Sequence, residues 1–239
     1  KFITKIIVPN NSLKEIFLQA LDENIYKPDV FILPDPAESE NDVYLTSKYL
    51  KEQSKYLEKT VPNFGEEKIS YKKTLSANRT NKILWFGNSY SPTSNMGFSS
   101  LIPHLKTLKK MQKQKDFLLT ICSNFKSDIS FLDFFEINFE IVDWSLNNIF
   151  FQLSTASCSL ITTGNDERCT TKSNNRILKS LTNGCPPIAI DCFNDSEFKG
   201  YITTGLKKGI QDYLQSEDRN QNIKDTITKV KPILDRFDL

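Results

Sequence analysis

The stretch Thr171–Ile190, TKSNNRILKSLTNGCPPIAI, sets Lys172, Ser173, Asn174, Asn175 and Arg176 in succession, turns apolar, and stops at Asn183-Gly184 and two prolines. The pattern predicts a short helix from Asn174 to Asn183. Ser173 or Asn174 is available as its N-cap, and Ile177, Leu178 and Leu181 form its inward face. Gly184 ends it and Pro186 prevents its continuation. The backbone N–H groups of a first helical turn lack partners within the helix and favour an anion. Lys172 and Arg176 flank that turn and add charge-assisted donors. The stretch therefore suits a phosphate or diphosphate. A capped helix with two solvated cations is the structural alternative.

The sequence on either side of this helix alternates in the same way. "CSLIT" before it and "PPIAID" after it read as strands. Upstream, "KILWFG", "FLLTIC" and "FEIVDW" are strands. Between them lie "GFSSLIPHLKTLKKM", "DISFLDFFE" and "LNNIFFQLST", which read as helices. In the first of these helices Phe98, Leu101, Ile102, Leu105, Leu108 and Met111 make an apolar stripe. Helical turns follow "PPIAID" to the end. Strands alternating with helices predict a Rossmann-like sheet of five or six parallel strands with helices on both faces. Near the start, "KIIVP", a capped helix "NNSLKEIFLQAL" and a buried strand "DVFILPDP" form a partial strand-helix-strand element. From Ala37 to Asn81 the periodicity weakens, with one helix expected around Asp42–Leu57. The expected divisions are 1–36 as a remnant of another domain, 37–81 as a long connection, and 82–239 as the main domain.

Composition excludes several classes. The 239 residues are 38% apolar with 17 Phe, enough for a sizeable core. Basic and acidic residues number 31 and 29, so nucleic-acid binding by bulk charge is not expected. No apolar run approaches a membrane span, and no signal peptide is evident, so a cytoplasmic protein is expected, in solution or at the inner membrane surface. The chain opens on Lys1, which suggests a piece of a longer protein. Five cysteines, with no CxxC pair, read as buried free thiols in a reducing compartment. His104, the single histidine, lies among helical apolar positions and reads as structural.

In open parallel sheets, ligands bind at the carboxyl ends of strands. Three loops qualify: Gly87 and Asn88 followed by Asn95 and Gly97; Asp143, Trp144 and Ser145; and the Lys172–Arg176 turn. Gly87 permits close backbone approach, and Trp144 offers a face for a base or sugar unless it belongs to the core.

With "ILWFGN", "NMGFSSLI", "VDW", "KSNNRILKSLTNGCPPIA" and "DSEF" in this order, the region 82–239 resembles the C-terminal, donor-binding half of GT-B fold retaining glycosyltransferases, within a subset carrying Lys-Ser-x-Asn-Arg before small-x-Gly-x-Pro. The first 36 residues look like the end of that family's acceptor-side domain. The resemblance implies hexosyl transfer in bacterial glycan biosynthesis, from a nucleotide-diphosphate sugar to a glycan or lipid-linked acceptor. It implies no cofactor and no metal beyond this donor, and a separate acceptor-binding domain or chain. It places Gly87 and Asn88 at the donor phosphates and Lys172, Ser173, Asn175 and Arg176 around the diphosphate. Trp144 would lie by the base and Glu197 at the next strand-to-helix turn. Thr171 and Lys179 stand where many relatives carry glutamates, and no catalytic residue is assigned. The alternative is a catalytically lapsed module that binds a nucleotide, glycan or protein.

Overall fold

The computed structural model describes residues 5–8, 11–22, 29–32, 79–87, 97–124, 136–163, 174–190, 198 and 200–234. The helices expected around Asp42–Leu57 and at "DISFLDFFE" lie outside these residues, apart from Glu136.

Six strands form one parallel sheet: β3 (Thr80–Phe86), β4 (Leu118–Ser123), β5 (Phe139–Asp143), β6 (Ala156–Thr162), β7 (Pro187–Ile190) and β8 (Thr203–Thr204), in the order β5-β4-β3-β6-β7-β8. Every pairing is parallel. Renumbered within the sheet this is 3-2-1-4-5-6, the doubly wound order, whose direction of winding reverses between β3 and β6. That junction is where a crevice opens at the carboxyl ends.

The central strands are apolar on both faces, and the two faces build two cores. Ile83, Trp85, Leu119, Ile121, Cys158, Leu160 and Ile188 face one side. Leu84, Phe86, Cys122, Ile161 and Ala189 face the other. All seven residues of β6 are buried, as expected of a strand covered above and below. The first face is covered by two 3₁₀ turns (Gly97–Ser100 and Ile102–His104), α2 (Leu105–Gln112), α5 (Leu206–Ile210) and a π turn (Gln211–Gln215). The second is covered by α3 (Leu146–Thr155), α4 (Asn175–Thr182) and the end of α6 (Arg219–Leu234). Gly209 lets α5 lie directly on β7, since a Cβ there would stand 2.4 Å from Cγ1 of Ile188.

Several expectations shift. The predicted helix 97–111 starts as 3₁₀ turns because Pro103 has no N–H and constrains the residue before it. Its stripe buries Phe98, Leu101, Leu105, Leu108 and Met111 but leaves Ile102 exposed. Strand β3 begins at Thr80, ahead of the expected Lys82, and the short strand β8 had no sequence signal. Near the start, β1 (Lys5–Val8) and β2 (Asp29–Ile32) pair in parallel on either side of α1 (Asn11–Asp22). The strand expected to be buried there is half open: Val30 is buried, but Phe31 and its partner Ile7 are exposed.

Cys122, Cys158 and Cys185 are free and buried; Cys169 and Cys192 lie outside the described residues. Burial pushes the Cys122 and Cys185 thiols up to about 11 and raises Cys158 as well. These thiols are packing groups, not nucleophiles.

Candidate functional site

Helix α4 follows β6, so its N-terminus lies at the carboxyl end of the sheet. Asn174 occupies its N-cap position, yet its side chain makes no cap hydrogen bond, contrary to the capping expected from its residue type. The other end is built as the sequence predicts. Gly184 adopts φ +70°, its N–H donates to the Leu181 carbonyl at 2.9 Å, and the Cys185 N–H donates to the Ser180 carbonyl at 2.8 Å. This is the double-bonded C-terminal closure that glycine permits. Ile177, Leu178 and Leu181 are buried, so the inward face anchors the helix and fixes where its first turn points.

Arg176 sits in that first turn and is half-buried. Its Nη2 donates to the Thr162 carbonyl at 2.6 Å and its Nη1 donates to the Phe86 carbonyl at 3.4 Å. These are the carboxyl-terminal carbonyls of β6 and β3, the two strands at the reversal of winding. The guanidinium also packs on Gly87, where a Cβ would stand 3.3 Å from Nη1 and 3.2 Å from the Trp85 ring. A side chain at Gly87 would therefore press on the arginine. No acidic residue occupies the first turn of α4, and a cation there opposes the helix dipole by about 0.3–1 kcal/mol. The strand-end carbonyls act against that cost.

Beneath the arginine runs a chain of hydrogen bonds that the sequence did not reveal. Trp85 Nε1 donates to Thr162 Oγ1 at 3.0 Å, Thr162 and Ser100 hydroxyls meet at 2.6 Å, and Ser100 Oγ lies 2.6 Å from the Gly97 carbonyl. An indole only donates and a carbonyl only accepts, so the direction of the whole chain is set from Trp85 to Gly97. It ties the ends of β3 and β6 to the turn in which Gly97 takes φ +62°. On the other flank, Ser123 Oγ donates to the Gly87 carbonyl at 2.6 Å. The only sequence trace of this network was polar residues closing otherwise apolar runs.

Trp144 is 48% exposed, so it is a surface side chain, not core. The backbone N–H of Trp144 donates to the Ser123 carbonyl at 3.1 Å, and Ser145 caps α3 through its hydroxyl, which accepts from the Asn148 backbone N–H at 3.0 Å. Strand β5 lies two strands from β3, about 10 Å away at ordinary strand spacing. Thus Gly87, Asn175, Arg176 and Trp144 all stand at the carboxyl end of one sheet, with Trp144 at its edge. Asn88, Lys172, Ser173 and Glu197 lie outside the described residues. Among the described residues no group of carboxylates, thiols and imidazoles could hold a metal ion, and no helix is long and apolar enough to cross a membrane.

No family model and no curated protein sequence matches this chain. Solved structures do match its shape. An alpha,alpha-trehalose-phosphate synthase (UDP-forming) from Burkholderia vietnamiensis aligns over 97% of this chain and 59% of its own, with a TM-score of 0.53 and 7% identity. The apo structure of OtsA aligns over 98% of this chain and 57% of its own, with a TM-score of 0.56 and 8% identity. The chain thus spans less than two thirds of either structure. At such identities the likeness is one of fold: the six-stranded parallel sheet is the Rossmann-like layer of a GT-B glycosyltransferase fold.

Proposed function

We propose that this chain is the donor-binding part of a retaining glycosyltransferase of the Lys-Ser-x-Asn-Arg subset. It takes a nucleotide-diphosphate sugar into the crevice at the carboxyl ends of β3 and β6. The observation that carries the reading is the position of Arg176. A guanidinium in the first turn of a helix, held over the junction of β3 and β6, adds a charged donor to the N–H groups of that turn, a combination that suits an anion. The diphosphate would accept from the first-turn N–H groups of α4, with Lys172, Ser173, Asn175 and Arg176 around it and Gly87 and Asn88 close to its backbone side. Trp144 would stack on the base, and Glu197 would border the sugar. As the bond from the anomeric carbon to the diphosphate breaks, negative charge collects on the departing phosphate oxygen. Preorganised N–H groups and cations stabilise that charge without reorganising.

The acceptor, a glycan or lipid-linked sugar, would be held by a further domain or chain, which closes the cleft and supplies positioning. Thr171 and Lys179, in the places of the glutamates of many relatives, favour slow chemistry or a lapsed module that keeps the donor site. Titration calorimetry with uridine, guanosine and adenosine diphosphates tests the binding reading. Uridine diphosphate is the first ligand to try, given the UDP-forming enzyme among the structural neighbours. Binding of a diphosphate more tightly than its monophosphate, weakening as salt rises, is expected. With nucleotide sugars the chain alone should release nucleoside diphosphate slowly, by hydrolysis, with little transfer. Absence of nucleotide binding would leave Arg176 as a strand brace only.

A further inference from the structure

Helix α2 carries a pattern that the donor site does not use. From Gly87 to Lys115 there are five lysines and no aspartate or glutamate, in a chain whose formal net charge is only +2. Leu105, Leu108 and Met111 face the core. On the outer side, Lys106, Lys110 and Lys113 follow one another at i, i+4 and i+7 and are all exposed. Ile102, one further turn back, is 38% exposed in the same row. Lys109 lies off this row and pairs with Glu136 at 3.5 Å. Like charges at these spacings repel and weaken a helix by about 0.2–0.5 kcal/mol per pair. Lysines near the helix C-terminus recover part of this through the dipole, but Lys106 is in the first turn, where the dipole opposes it. Lys207 and Lys208 of α5 are also exposed, on a helix packed against the same core as α2.

We infer that the outer face of α2 docks on an anionic lipid surface through Lys106, Lys110 and Lys113, with Ile102 entering the headgroup boundary. The row is all lysine. Recognition of individual phosphates in nucleic acid favours the arginine fork, and binding of single strands adds aromatic platforms; the row has neither. Point charges on long flexible stems suit the diffuse negative potential of a bilayer, where each contributes about equally and salt weakens all of them.

Co-sedimentation of the full chain with vesicles tests this. Binding is expected to vesicles of phosphatidylcholine mixed with phosphatidylglycerol at low salt, to be lost at high salt, and to be absent with phosphatidylcholine alone. The K106Q/K110Q/K113Q variant should lose roughly 100-fold in partitioning while melting at or above the parent temperature, since repulsion is relieved. The K106R/K110R/K113R variant keeps the charge and should still bind. Calorimetry with uridine diphosphate on the glutamine variant monitors the donor crevice separately. Equal binding to neutral vesicles, undiminished binding by the glutamine variant, or binding of single-stranded RNA in place of vesicles would each overturn the inference.

Discussion

Two arginines stand at opposite ends of α4, and they are used in opposite ways. Arg79, at the amino end of β3, is buried. Its Nη1 donates to the Leu153 and Ala156 carbonyls at 2.7 and 2.6 Å, and its Nη2 donates to the Asn183 carbonyl at 3.2 Å. Leu153 lies in the last turn of α3, and Asn183 is the C-cap of α4. A cation there is favoured by both helix dipoles and satisfies carbonyls left over at two helix ends. Arg176, at the other end of the same helix, is opposed by the dipole and only half-buried. The first arginine is explained completely by folding. The second stands at the carboxyl ends of β3 and β6, where a bound anion would meet it together with the first-turn N–H groups of α4.

The largest expected effect breaks the amino end. Arg79→Ala leaves three buried carbonyls without their donor and should cost about 3–5 kcal/mol of stability, measured by urea unfolding. Arg79→Lys should recover only part, because an ammonium does not reproduce the fork that reaches three carbonyls. Arg176→Ala should show the reverse balance. It should weaken binding of a nucleoside diphosphate by about 1.5–3 kcal/mol, the scale of a charged hydrogen bond, with a smaller loss of stability. If Arg176→Ala instead unfolds the chain as readily as Arg79→Ala while folded protein binds unchanged, α4 is simply braced at both ends.

The same comparison explains what could be read from the sequence. The alternation of strands and helices, the buried face of α4 and its Gly184 closure depend on local periodicity and turn chemistry, and these are written in neighbouring residues. The doubly wound arrangement followed from that alternation. Arg176 was visible as a candidate because it follows a run of short polar groups. Arg79 was not, because it precedes its strand inside a stretch read as a connection. Its partners lie 74 to 104 residues away, and no local pattern encodes them. The chain from Trp85 through Thr162 and Ser100 was hidden for the same reason. Ile102 was misassigned because its helical spacing counts it among the apolar positions, whereas the 3₁₀ start at Pro103 turns it outward.

A third substitution sharpens the comparison at the carboxyl end. Thr162→Val keeps the backbone carbonyl that Arg176 uses but removes the hydroxyl between Trp85 and Ser100. A buried indole N–H then has no acceptor, which should cost about 1–3 kcal/mol in stability. Nucleotide affinity should change by less than it does for Arg176→Ala, since the guanidinium keeps its anchor. An equal loss of affinity in calorimetry would mean that the hydroxyl chain, more than the arginine, shapes the crevice.

The smallest expected effect separates ion pairing from the carbonyl binding that both arginines display. Lys82 Nζ lies 3.0 Å from Glu140 Oε1, which also accepts from Thr120 Oγ1 at 2.7 Å. Burial alone would raise the Glu140 carboxyl, but the Thr120 hydrogen bond and then Lys82 outweigh it, so the group is held below its ordinary value. A depressed carboxylate stabilises the fold above its unfolded value, and that contribution is lost as pH falls through the lower, folded value. Because the Glu140 side chain is 36% exposed, solvent screening limits the effect to a few tenths of a kcal/mol. Glu140→Gln should therefore flatten a small part of the acid limb of urea stability measured between neutral pH and the carboxylate range, leaving nucleotide affinity unchanged. An acid limb that is identical in the variant would show that this pair is fully screened. The reach from β3 to β5 across β4 would then contribute nothing beyond the backbone pairing, the packing and the Thr120–Glu140 hydrogen bond.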